Sequence, residues 1–133
     1  MLTVLQPPGW EQPKGFSNGI AAEGRQVFVG GQIGWNERCV FESQEFVPQA
    51  KQALQNIVSV LAQADAGPQH IARMTWYICD KQEYLASLKE LGAAYREVIG
   101  KFYPAMTAVE VSALMEDDAR VEIEVTAVVP RNR

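Results

Sequence analysis

Across residues 45–63 the apolar side chains Phe46, Ala50, Ala53, Leu54, Ile57, Val58 and Leu61 recur at the i, i+3, i+4 spacing of a helix that turns one face to a core. Pro48 fits such a helix only in its first turn. A period of two governs residues 119–129. There Val121, Ile123, Val125, Ala127 and Val129 fall on one side of a strand, and Arg120, Glu122, Glu124, Thr126 and Val128 on the other. The first set belongs under helices. The second is too polar for the core of a monomer yet sits on a central-looking strand, so that face is expected to meet symmetry mates across a partly wet interface.

The rest of the chain is punctuated by its turn residues. Pro7, Pro8 and Pro13 with Gly9 and Gly15 mark an irregular start. Residues 19–22 and 26–34 then read as two strands of a hairpin turning at Glu23-Gly24-Arg25. Gly30 and Gly31 inside the second strand point to a bulge or to a close approach to the backbone, as a pocket wall requires. Gly67-Pro68 closes the helical region, and residues 71–80 have the β-branched and aromatic density of a strand. Asp80 and Glu83 stand at capping-box spacing. A second helix is expected from there to about Val98, burying Tyr84, Leu88, Leu91, Tyr95 and Val98, with Gly100 as its stop. Two strands at 107–114 and 119–129, joined by the acidic turn Met115-Glu116-Asp117-Asp118, complete the order ββαβαββ. This is an α+β fold with two helices on one face of a mixed sheet.

With 133 residues, 47% of them hydrophobic and 21% charged, the chain suits one domain spanning 1–133. A net charge of −4 argues against a general nucleic-acid or membrane-surface binder. The first eight residues lack the basic region of a signal peptide, and no apolar run approaches the length of a membrane span, so a soluble cytoplasmic protein is expected. Cys39 and Cys79 are far apart and His70 is the one histidine, which leaves no four-ligand metal set. Both cysteines read as free thiols, and His70 as a solvated residue beside a turn.

The segment Tyr103-Pro104-Ala105-Met106-Thr107-Ala108-Val109-Glu110-Val111, followed by Val121-Glu122-Ile123-Glu124-Val125, resembles the C-terminal signature of the RidA/YjgF family. The resemblance extends back through Gly15-Phe16, Gly19, the run Val29-Gly30-Gly31-Gln32-Ile33 and the first helix. It implies a chorismate-mutase-like ββαβαββ fold, a homotrimer with clefts between subunits, and hydrolysis of reactive enamines and imines without metal or other cofactor. It further implies that Glu122 positions the attacking water and that the Gly31 backbone lines the pocket. Ala108 takes the place of a frequent cysteine that touches the ligand through its backbone. Phe16 takes the place of a tyrosine that closes over the ligand, keeping the ring and losing the hydroxyl.

The departure that matters most is Met106. Active members carry there an arginine that grips the substrate carboxylate, and each charge-assisted hydrogen bond of such a grip contributes on the order of 1.5–3 kcal/mol. A two- or three-carbon imino acid has few other contacts, and the negative charge of Glu122 repels it. Small 2-imino acids are therefore disfavoured. One reading is deamination of a larger, less acidic enamine or imine, such as an aminomuconate-like compound, held by Met106, Trp35 and Phe16. A second is a trimer that binds a metabolite without turnover, and a third is a protein-contact role, chaperone-like or translation-related. RNA cleavage fits poorly with the charge and with the lack of a basic, aromatic-interleaved patch. Structural roles compete at each position: Met106 as interface filler, Trp35 and Trp76 as packing residues, Glu122 in an interface salt bridge with Arg120 or Arg73 of a neighbour. Arg73 is one candidate to replace the missing cation.

Overall fold

The structure, a computed structural model, describes residues 2–131. Strands β1 (Leu2–Leu5), β2 (Gly19–Ala22) and β3 (Arg25–Ile33) precede helix α1 (Phe46–Ala62). A short 3-10 turn, Pro68–His70, leads into β4 (Ile71–Ile78), followed by α2 (Lys81–Ala86), α3 (Leu88–Val98), β5 (Ala105–Glu110) and β6 (Val121–Val129). The main sheet has the order β3-β6-β4-β5, with β6 antiparallel to both neighbours and β4 parallel to β5. The helices lie on one face of this mixed sheet, as expected. Their apolar stripe buries Ala50, Ala53, Leu54, Ile57 and Leu61 completely against Val121, Ile123, Val125 and Ala127 of β6.

Gln49 is a polar exception inside that layer. It is 1% exposed, donates to the carbonyls of Ser43 and Asp118, and accepts from the Arg120 amide at 2.8 Å, so its amide is spent on three chain segments. Gly34 packs directly on it, and a Cβ there would lie 2.6 Å from Gln49 Cα.

Three local expectations need correction. The hairpin between residues 19–22 and 26–34 does not form, because β2 pairs with β1 instead. Gly24 has φ +148°, far from the values of a primed hairpin turn, and its bare Cα abuts the Val129 carbonyl. The chain thus crosses the end of the sheet, from Ser17, bridged to Ala105, past β4 to Arg25, opposite Val129. The second helix is broken into two at Ser87. Its hydroxyl bonds the Glu83 carbonyl at 2.7 Å, a bond to i−4 that competes with the helical ladder, and its backbone sits at φ −111°, ψ 11°. The capping box is half formed. Asp80 accepts from the Glu83 amide, but the Glu83 carboxylate pairs with Arg120 at 3.1 Å, while Glu110 of β5 takes the Lys81 amide.

Gly30 and Gly31 do make a bulge. Val29 pairs with Val125 and Gln32 with Ile123, so two glycines stand opposite one residue of β6. The extra residue exchanges the faces of β3: Phe28 stands opposite Thr126 before it and Ile33 opposite Glu122 after it, both on the face away from the helices.

Candidate functional site

Strand register divides the residues singled out from the sequence between the two sheet faces. Glu122 is on the helix-free face, flanked by Tyr77 of β4 and Ile33 of β3. Gly31 lies against it so closely that a Cβ would be 2.7 Å from Glu122 Cδ and closer still to Oε2. Among the described residues Glu122 has no ion pair. Arg120 is committed to Glu83 and to the Gln44 carbonyl, and Arg73 is exposed on the same open face as Glu122. The open face also presents Glu124, Thr107, Val109 and, on the edge strand β3, Phe28, which is 72% exposed.

Tyr77 and Glu124 belong to this cluster although neither was picked out from the sequence. The Tyr77 hydroxyl donates to Glu124, and that bond, with burial and the charges of Glu124 and Glu122, holds the phenol above its ordinary pKa. The i, i+2 spacing of Glu122 and Glu124 signalled a shared face; the tyrosine opposite them depended on the pairing of β4 with β6.

Met106, Ala108 and Phe16 gather on the other face. Met106 is opposite Met74 and Ala108 opposite Trp76, both core residues of β4. With Phe16 they line a groove of about 480 Å³ between β5 and the helices α2 and α3. Tyr84, Leu91, Tyr95, Tyr103 and Trp76 form its walls, and Lys14 and Arg96 also line it. Tyr95 and Tyr103 stack with centroids 5.7 Å apart and planes 12° from parallel. Burial, and after it the neighbouring Tyr103, pushes the Tyr95 phenol well above its usual range, and its hydroxyl is held by the Phe102 carbonyl. Phe16 is kept at the groove by its neighbour Ser17, whose amide donates to the Pro104 carbonyl at 2.9 Å and whose hydroxyl donates to the Tyr103 backbone carbonyl.

Trp35 is not among the residues that line the groove. It follows β3, tilts against Phe41 with centroids 5.7 Å apart, and its carbonyl accepts from Asn56. His70 is not simply solvated, since its Nδ1 accepts from the Gly67 amide at 3.0 Å. Cys79 is free, and burial raises its thiol pKa, which leaves less of the thiolate form that nucleophilic chemistry needs. Among the described residues no group of three or more His, Cys, Asp and Glu is placed to hold a metal, and no helix is long and apolar enough to cross a membrane.

Comparison with known proteins agrees with this architecture. The family model described as Endoribonuclease L-PSP matches residues 11–129. A RutC family protein of Synechocystis sp. is 30% identical over 132 residues, covering 97% of this chain and 98% of that protein. The 2-iminobutanoate/2-iminopropanoate deaminase of Capra hircus is 30% identical over 109 residues, 78% of this chain and 73% of the enzyme. Among solved structures, the Rid family protein YyfB from Yersinia pestis superposes with a TM-score of 0.82 at 28% identity, over 96% of this chain and 98% of its own. The sheet order, the glycine bulge against Glu122 and these matches together make the chain a member of the RidA/YjgF family.

Proposed function

We propose that the protein is a homotrimer whose clefts, each built from two chains, hydrolyse the C–N bond of a conjugated enamine or imine to a carbonyl compound and ammonia. The observation that carries this reading is the division of the site. Glu122 and Gly31 are on one sheet face, and Met106, Ala108 and Phe16 are on the other. A single chain cannot bring these groups around one ligand, whereas the open face of one copy set against the β5 edge of another does. Exposed Phe28 and Val109 supply apolar area for such contact.

In this cleft Glu122 takes a proton from water as the water oxygen attacks the imine carbon, and the C=N electron pair moves to nitrogen. The carboxylic acid so formed returns the proton to nitrogen, giving a neutral carbinolamine. Glu122 then takes the carbinolamine O–H proton and passes it to nitrogen, so that the C–N bond breaks and neutral ammonia leaves as the carbonyl forms. Gly31 contributes by absence, because no side chain separates the Glu122 carboxylate from the β3 backbone. With methionine at 106, selectivity shifts from small imino acids toward substrates with extended apolar surface. A phosphodiester backbone suits the open face poorly, since Glu122 and Glu124 both lie on it.

The test is ammonia release above the spontaneous rate from enzymatically generated 2-iminopropanoate and, separately, 2-aminomuconate. Release from 2-aminomuconate alone is expected. Equal release from 2-iminopropanoate would refute the selectivity argument, and release from neither would assign the cleft to binding without turnover.

A further inference from the structure

The groove on the helix side holds features that water alignment by Glu122 does not use. Trp76 lines it while only 3% exposed, and its Nε1–H has no hydrogen-bond acceptor among the described residues. Buried donors are nearly always paired, so an orphan of this kind marks where an acceptor from outside the chain belongs. The walls are flat and aromatic, and the hydroxyl of Tyr95 is already committed to Phe102. The charge is one-sided as well. Lys14 and Arg96 are the charged residues lining the groove, no carboxylate lines it, and the chain as a whole carries −4.

Arg96 has been given room. It lies one turn beyond Gly92 in α3, and a Cβ at Gly92 would come within 3.3 Å of its Nη1. Glycine is costly inside a helix, and here it lets the guanidinium lie across the helix face. Neither Arg96 nor Lys14 has an ion-pair partner among the described residues.

We propose that this groove binds a flat, conjugated carboxylic acid bearing a hydrogen-bond acceptor at the end remote from the carboxylate. Arg96 is its anchor and Trp76 Nε1–H the donor to the far end. The flexible Met106 side chain moves aside to admit the conjugated body, which a branched residue would resist. Arg96 thereby takes over, from the helix, the carboxylate grip that position 106 does not supply. The inference rests on the proposed function for the fate of the ligand and not for its binding, so the two are tested separately.

Binding of 4-hydroxycinnamate, cinnamate and 4-hydroxycinnamamide to the full chain is measured by calorimetry. The hydroxylated acid is expected to bind about tenfold or more tightly than its amide, the margin of a charge-assisted pair. Arg96→Gln, a change at an exposed position, should erase that margin and leave amide binding unchanged. Trp76→Phe should erase the preference for 4-hydroxycinnamate over cinnamate. No binding to the unaltered protein, or an acid preference that survives Arg96→Gln, would overturn the proposal. Ammonia release without 4-hydroxycinnamate binding would overturn the groove and keep the reaction; binding without release would do the reverse.

Discussion

Gly31→Ala isolates the contact on which the proposed chemistry depends. Gly31 is outside the left-handed backbone region, so alanine fits its backbone without strain, and replacing glycine lowers the entropy of the unfolded chain by an amount worth about 0.4–1 kcal/mol. The added Cβ collides with one thing, the Glu122 carboxylate, 2.7 Å away at Cδ. That is the far end of a flexible side chain, and turning it to a poorer rotamer costs about 0.5–1.5 kcal/mol. The two effects nearly cancel, and the unfolding midpoint should move by only a few degrees. Catalysis has no such compensation. A misplacement of about 1 Å in a reacting group costs roughly 100-fold in rate. Steady-state ammonia release, with thermal unfolding followed in parallel, should therefore show kcat falling about 100-fold at almost unchanged stability. A variant that keeps kcat within about threefold would refute the view that the bare β3 backbone sets the position of Glu122.

Glu122→Gln keeps the shape of the side chain and removes its basicity, so ammonia release should fall by about 100-fold or more while sedimentation velocity still reports a trimer; dissociation would instead mark Glu122 as an interface residue. Met106→Arg should raise turnover of 2-iminopropanoate by at least tenfold, and a folded variant with no gain would sever the link between this position and substrate choice. Gln49→Leu leaves the Ser43 and Asp118 carbonyls and the Arg120 amide without their partner, and at about 1–3 kcal/mol for each unpaired buried group it should cost at least 3 kcal/mol in urea unfolding. Tyr77 and Tyr95 both bind their protons more tightly than free tyrosine, so above pH 10 the folded chain holds more protons than the unfolded one and stability falls as pH rises. Unfolding midpoints at pH 9 and pH 11 check this, and a midpoint that does not drop would contradict it.

Local signals proved readable wherever one element carried its own period or cap. The stripe from Phe46 to Leu61, the alternation of β6 from Val121 to Ala127 and the Asp80 cap each describe interactions within a few residues, and all three are realised. Only at the strand end does the alternation lapse, Val128 being buried and Val129 half-buried. What escaped the sequence depends on distant partners. Turn chemistry suggested that β2 would fold back on β3, but pairing with Leu2–Leu5 and the passage of Gly24 beneath Val129 decide its course. Ser87 interrupts the helix through a bond from its own side chain that propensity does not reveal. For the site, the resemblance named Glu122 and Met106 together, and only the registers of β6 and β5 on β4 show that they face opposite ways. Arg96 gave no signal in the sequence because its significance comes from the groove it lines and from its closeness to Gly92, both of which appear only in the folded chain.

The tie between Ser17 and the Tyr103-Pro104 backbone joins residues more than eighty positions apart, whereas the helices are built largely from local contacts. Closing so long a loop is entropically expensive, and in folding such contacts form late. By the same reasoning the segment that carries Phe16 is a natural unit for partial opening, since it is fastened to the β5 lead-in by a few polar bonds and not by the buried core. One wall of the groove can then swing open while α1 and the four-stranded sheet stay folded. Entry of a bulky ligand would draw on that local freedom and leave the global stability of the domain untouched.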